Sequence, residues 1–284
     1  MTNPPGVDLD RVLVPIDGSD GASAALDHAI SIAAATDAEI LLLAVVDPYG
    51  LSTVTERKEV EAELEDLVTD AAARVQDAGV DVSTAVEAGF PHEEILHVVE
   101  DHAVDLIAMG THGRRGLGRF VLGSVAEKVV RLSPVPVLTV RTEATGQRPY
   151  RDIVIPTDGS DAAAPAERWG VDLAEEFGAE LHALSVVPEG PVRSSETVDA
   201  YEEMARAALD RVAARGASFA VDVSETIEYG VPHRVIVDRC KDTDADLVVL
   251  GTHGRTGVER FVLGSVAEKV VRLSETPVLV VPSE

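Results

Sequence analysis

One cysteine, Cys240, rules out an internal disulfide, and its place in the helix-like run 235–240 reads as a structural thiol. Aromatic residues make up only 4% of the chain, so its cores must be built from Val, Leu, Ile and Ala. That bias suits parallel sheets buried on both faces. The longest apolar runs, such as 40–46, fall far short of the ~20 residues that span a membrane. Residues 1–11 show neither a cationic start nor an apolar stretch, so no signal peptide is expected and the protein is expected to be cytoplasmic. Basic residues are scarce, 24 against 50 acidic ones, and only Lys58, Lys128, Lys241 and Lys269 are lysines. A net charge of −26 repels nucleic acid and anionic lipid, because phosphate binding needs local positive charge.

What is abundant is acid and aliphatic carbon. Excess acid on an apolar-rich chain is the composition of proteins from salt-loving cytoplasms, where salt screens self-repulsion; an ordinary acidic protein is the alternative. The 284 residues suggest about two domains.

An internal repeat defines them. Residues 110–133 and 251–274 are identical at 21 of 24 positions, at an offset of 141. The same offset relates 14–20 (VPIDGSD) to 155–161 (IPTDGSD), Pro91-His92 to Pro232-His233, and Asp105-Leu106 to Asp246-Leu247. The period is too long for a solenoid, so this is a duplicated domain. The expected domains are 1–143 and 150–284, joined by a polar linker at 144–149.

Within the first copy, apolar runs alternate with helical periodicity. Strands are expected at 12–16, 40–46, 81–87, 106–109 and 135–140. Helices are expected at 20–35, 56–76, 91–102 and 124–132. The second helix should bury Val60, Leu64, Leu67, Val68, Ala71 and Val75, and the third strand should alternate through Val82, Thr84 and Val86. Such βα alternation gives an α/β fold of two tandem Rossmann-like domains, each a five-stranded parallel sheet with helices on both faces. Ligands of such sheets bind beyond the carboxyl ends of the strands, where the strand order reverses.

Two loops at those ends stand out. One follows the first strand with Asp17-Gly18-Ser19. The other follows the fourth strand and reads Gly110-x-x-Gly113, nine residues, then Gly123-Ser124; its counterpart is Gly251, Gly254, Gly264-Ser265. Glycines permit positive φ or close approach of a ligand. The helix start after them presents free N–H groups and a positive dipole end, so Gly123, Ser124 and Val125 are placed to hold phosphate oxygens. The alternative is a capping box, Ser124 with Glu127 and Ser265 with Glu268, which satisfies the same terminus without a ligand.

Charge favours a ligand. Arg114, Arg115, Arg119, Lys128 and Arg131 make residues 110–131 net +4, and residues 251–272 are net +2, within a chain of −26. Clustering scarce cations around glycine loops attracts polyphosphate; a solvated basic helix face is the other reading. Glycine, not lysine, precedes Ser124 and Ser265, so this is not a P-loop and no γ-phosphoryl-transfer machinery is evident. Asp17 and Asp158 can accept from ribose hydroxyls or help hold hydrated Mg²⁺, or simply form turns. His112 and His253 lack a partner acid in the sequence. No paired carboxylates, metal-type His/Cys cluster or nucleophile elbow is visible, so no catalytic or metal residues are assigned.

The glycine spacing together with Val14-Pro15-x-Asp17-Gly18-Ser19 resembles the ATP-binding branch of the universal stress protein family, over nearly the whole chain and twice. The resemblance implies a cytoplasmic stress-response module that binds ATP with Mg²⁺ in an adenine nucleotide alpha hydrolase-like fold, without being an enzyme beyond slow hydrolysis. It implies ligand contacts from Pro15, Ile16, Asp17, Val45, Met109, Gly110, Gly113, Arg114, Gly123, Ser124 and Val125. In the second copy these become Pro156, Thr157, Asp158, Val186, Leu250, Gly251, Gly254, Arg255, Gly264, Ser265 and Val266. Val45 and Val186 would flank adenine. It also implies pairing of last strands, here as an intramolecular pseudo-dimer, with a homodimer as a further step. Gly118 and Arg115 of the first copy become Glu259 and Thr256, so the second site is expected to be weaker. A nucleotide-independent interaction module is the competing reading. Related ATP pyrophosphatases and nucleotidyltransferases would need signature loops that this chain lacks.

Overall fold

The computed structural model describes residues 9–48, 53–113, 122–142, 150–189, 195–254 and 263–283. They form two compact units, one within Asp8–Arg148 and one within Pro149–Glu284.

The first unit runs β1 (Arg11–Pro15), α1 (Asp20–Thr36), β2 (Glu39–Val46), α2 (Val54–Asp77), β3 (Val82–Ala88), α3 (Pro91–Asp101), β4 (Leu106–Gly110), α4 (Ser124–Leu132) and β5 (Val137–Val140). Its strands lie in the order β3-β2-β1-β4-β5, all parallel. The second unit repeats this as β6 (Asp152–Pro156), α5 (Ala164–Phe177), β7 (Glu180–Pro188), α6 (Ser195–Ser218), β8 (Val223–Gly230), α7 (Pro232–Asp242), β9 (Leu247–Gly251), α8 (Ser265–Leu273) and β10 (Val278–Val281), in the order β10-β9-β6-β7-β8. Each sheet reverses direction of growth between its first and fourth strands. That places the Asp17 loop and the glycine loop side by side at one crevice, and likewise their second-copy counterparts.

The aliphatic strands form each core. Val12, Leu13, Val14, Ile107 and Ala108 are sealed from solvent, as are Ile153, Val154, Ile155, Val248 and Val249. The repeated aspartate before each fourth strand has a structural task. Asp105 Oδ2 accepts from the N–H groups of Asp10 and Arg11, and Asp246 Oδ2 from those of Arg151 and Asp152. Each carboxylate thereby pins the start of the first strand to the fourth. Cys240 is buried on α7, where burial pushes its thiol up to about 12, so it is protonated and inert at neutral pH.

Some expectations shift. The last strands begin at Val137 and Val278. Ser133 Oγ holds both the N–H and the carbonyl of Val135, and Ser274 Oγ donates to the carbonyl of Thr276, which keeps those residues in a turn. On α2 only Leu64, Val68, Ala71 and Val75 are buried, while Val60 and Leu67 stay half-exposed. β3 does not alternate as expected: Thr84 is exposed and no residue of the strand is fully buried, because β3 is an edge strand. α5 starts later than α1. Ser19 caps α1 by accepting from Ala22 N–H, whereas α5 carries Pro165 in its first turn and has no side-chain cap.

The two copies also solve the same left-handed helix exits differently. Gly79 (φ 78°) corresponds to Ala220 (φ 57°), and Asp37 (φ 57°) to Gly178 (φ 62°). A Cβ in this region costs roughly 1–2 kcal/mol, partly offset by the greater chain entropy of unfolded glycine, about 0.5–1 kcal/mol. Ala220→Gly is therefore expected to stabilise the second unit by about 0.5–1 kcal/mol. Gly79→Ala, where nothing lies within 4 Å of the new Cβ, is expected to destabilise the first by a similar amount. Urea unfolding midpoints check both.

Candidate functional site

The crevice is built from backbone contacts that only glycine allows. At Gly110 a Cβ would stand 2.6 Å from the Gly21 carbonyl carbon and 2.9 Å from Ala22 N. At Gly251 it would stand 2.9 Å from the Ala162 carbonyl oxygen. Gly123 donates its N–H to the Thr111 carbonyl at 2.8 Å, and its Cβ would lie 3.1 Å from that oxygen; Gly264 and Thr252 repeat this at 2.8 and 2.9 Å. None of the six motif glycines has a positive φ. That freedom is used instead by Gly18 (78°) and Gly159 (77°), in the turn after the aspartate. The motif glycines are required for close approach, and at Gly110 and Gly251 the approaching group is the protein's own backbone.

Gly113 and Gly254 differ. Their Cβ atoms would sit 2.5 Å from Asp17 Oδ2 and 2.6 Å from Asp158 Oδ2. The second glycine of each loop therefore leaves room for the carboxylate of the first loop. The turn expected of the aspartate is formed, and its second oxygen is turned to the glycine loop. Oδ1 of Asp17 makes the turn by accepting from Ser19 N–H at 3.0 Å, while Oδ2 faces the glycine loop. Asp158 Oδ1 accepts from Ser160 N–H at 3.0 Å and from Ser160 Oγ at 2.7 Å.

The capping box is not formed. Gly123 and Gly264 are the N-cap residues of α4 and α8, with no side-chain cap hydrogen bond, and Ser124 and Ser265 are the first helical residues. The bonds from Gly123 to Thr111 and from Gly264 to Thr252 fix where each helix is capped, one residue before the serine. The tertiary bond overrides the local motif. An N-cap glycine supplies no side-chain acceptor, so the first-turn amides of Ser124 and Val125, and of Ser265 and Val266, keep the positive helix end suited to an anion.

The remaining expected residues that are described lie at the carboxyl ends of the strands. Pro15 and Pro156 end their strands; Ile16 and Thr157 follow and bond to Leu43 and Leu184 through their N–H groups. Val45 and Val186 lie half-exposed at the carboxyl ends of β2 and β7, and Met109 and Leu250 are buried one residue before the glycine loops. Arg114 and Arg255 lie outside the described residues, as do Arg115, Gly118, Arg119, Thr256, Glu259 and Arg260. His112 bonds through Nδ1 to Thr111 Oγ1 at 3.0 Å, and His253 repeats this with Thr252. Among the described residues, Nε2 of both histidines is buried without a hydrogen-bond partner.

Sequence reasoning missed a network beneath the second site. Thr157 Oγ1 donates to Glu167 Oε1 at 2.6 Å and accepts from Gly159 N–H at 3.1 Å. Arg211 closes on both oxygens of Glu167, at 2.8 and 3.1 Å. The first copy has Ile16, Leu26 and Asp70 at these positions, so the divergence was visible in the repeat but its geometry was not. Also missed was a cluster of Asp152, Glu180 and His182 at the opposite end of the sheet, which strand register brings together.

The strand order, with two loops of the same spacing in each copy meeting at its reversal, defines a tandem Rossmann-like protein. The sequence profile described as "Universal stress protein family" matches residues 9–141 and again 149–282. The chain belongs to the universal stress protein family, in its two-domain form. It is 29% identical over 295 residues to a universal stress protein of Mycolicibacterium smegmatis, covering 95% of this chain and 96% of that one. It is 38% identical over 143 residues to one of Methanocaldococcus jannaschii, covering 48% of this chain and 84% of the relative. The crystal structure of a universal stress protein from Archaeoglobus fulgidus superposes with a TM-score of 0.76 at 25% identity, covering 96% of both chains. No helix among the described residues is long and apolar enough to cross a membrane.

Proposed function

We propose that each unit binds ATP at the crevice between its first and fourth strands, and that the protein acts as a nucleotide-dependent binding module in stress response rather than as an enzyme. The observation that carries this reading is the pairing of a glycine-capped helix start with an aspartate that faces a glycine across the crevice, built twice. In this reading the first-turn amides of α4 and α8 take phosphate oxygens. Asp17 and Asp158 accept from ribose hydroxyls or hold the water shell of Mg²⁺. Val45 and Val186 offer apolar surface to adenine. Arg114 and Arg255 add positive charge that draws a polyanion to an otherwise acidic protein. The protein would be cytoplasmic, and its acidic composition fits working at high salt.

The two sites should differ. The second loop carries less positive charge than the first. Forcing the carboxylate aside removes a charged hydrogen bond, a loss of about 1.5–3 kcal/mol, or roughly 10- to 100-fold in affinity. Gly113→Ala should therefore weaken the tighter of two ATP sites by that factor, and Gly254→Ala the looser one. Calorimetric titration of the single variants checks the order. A larger loss of total binding from Gly254→Ala would contradict the asymmetry.

A further inference from the structure

We propose that the second unit carries a divalent transition-metal site of the zinc type, formed by Asp152, Glu180 and His182 at the amino ends of β6 and β7, the sheet edge opposite the nucleotide crevice. Strand register makes the cluster. Asp152 pairs with Glu180, and Glu180 and His182 are two residues apart on β7, so all three side chains leave the same face of the pleat. One donor atom from each lies within 4.8 Å of the others. Imidazole with two carboxylates suits zinc-like ions, with bonds of about 2.0–2.2 Å and open positions for water. The exposed Glu180 side chain is free to close the remaining gap.

The histidine gives the independent argument. His182 is buried, only 8% exposed. Ser224, its register partner on β8, donates its hydroxyl to the Leu181 carbonyl at 3.4 Å and lies 2.8 Å from His182 Nδ1. The Ser224 hydroxyl thus holds Nδ1 and fixes the ring's orientation. The ring aims Nε2 at Asp152 Oδ1, 2.9 Å away, a hydrogen bond whose place a metal ion would take. A histidine whose other nitrogen is fixed by a hydrogen bond is the usual presentation of a metal ligand.

The first copy shows what was exchanged. There Arg11, Glu39 and Leu41 occupy these positions, and the guanidinium of Arg11 bonds Glu39 Oε2 at 2.9 Å. The second copy replaces the arginine by a carboxylate directly opposite another, an unfavourable cross-strand pair. Asp246 adds a third negative charge by holding the Asp152 N–H. A bound cation does for the second copy what Arg11 does for the first.

The test is titration of the nucleotide-free full chain with Co²⁺, in molar KCl and millimolar Mg²⁺ to suppress loose binding to the acidic surface. Visible absorption reports ligand bonds, and Zn²⁺ competition reports affinity. One equivalent of Co²⁺ is expected, displaced by Zn²⁺. His182→Leu, which places in β7 the residue the first copy already tolerates, should abolish the signal. Ser224→Ala should weaken binding about 10- to 100-fold without removing a ligand. Circular dichroism confirms that both variants are folded. Absence of a saturable equivalent in the wild type, or unchanged binding in His182→Leu, would overturn the proposal. Neither result bears on ATP binding, which is measured separately.

Discussion

Gly110→Ala is expected to cost the first unit about 3 kcal/mol or more, and Gly251→Ala to cost the second a comparable amount. The added methyl would stand 2.6 Å from the Gly21 carbonyl carbon in one case and 2.9 Å from the Ala162 carbonyl oxygen in the other. Both obstacles are backbone, not the yielding end of a side chain. Relief requires the start of α1, or the turn before α5, to lift off the fourth strand. Ordinary overpacking costs about 1–3 kcal/mol, and a backbone that cannot repack lies at or above the top of that range. Against a domain stability of about 5–15 kcal/mol this is a large fraction. Urea unfolding followed by circular dichroism should show an early transition for one unit and an unchanged one for the other. A midpoint shift as small as that of Gly79→Ala would mean the contact yields easily.

The second large effect concerns Glu167. Arg211→Ala is expected to destabilise the second unit by about 2–4 kcal/mol. It leaves a carboxylate with 6% of its side chain exposed, hydrogen-bonded to the Thr157 hydroxyl. Removing one member of a buried pair costs about 3–5 kcal/mol, reduced here because Arg211 is half in solvent. Glu167→Leu, by contrast, should change stability by less than about 1 kcal/mol, since leucine fills the same place as Leu26 in the first unit and the freed guanidinium returns to water. The contrast between these variants is the measurement. Equal losses would show that the pair contributes by attraction, not by mutual compensation of burial. Because Thr157 also holds Gly159, Arg211→Ala should loosen the Asp158 turn as well.

Much of this was legible from residues. The repeat set the number of units, and βα alternation set the sheet and its helices. α4 spans Ser124–Leu132 as its periodicity predicts, because its apolar stripe of Ala126, Val129 and Val130 packs inward. The crevice was legible too, since glycine clusters and an aspartate at strand ends announce a loop meeting a loop. What was not legible depended on tertiary partners. A serine followed by glutamate at the third position looks like a capping box, yet a hydrogen bond from Gly123 to a residue twelve positions earlier moves the cap. Thr84 looks like a buried strand position, but an edge strand leaves it exposed. Asp152, Glu180 and His182 are scattered along the chain, and only cross-strand register unites them.

The central claim is that the paired loops hold ATP. The most direct measurement is calorimetric titration of ATP with Mg²⁺ in molar KCl, on the wild type and on the chain carrying Gly113→Val with Gly254→Val. About two ATP per wild-type chain are expected and none for the double variant, whose side chains would occupy the space each aspartate oxygen now fills. Absence of binding to the folded wild type would contradict it, leaving the glycines to the close backbone packing seen at Gly110 and Gly251.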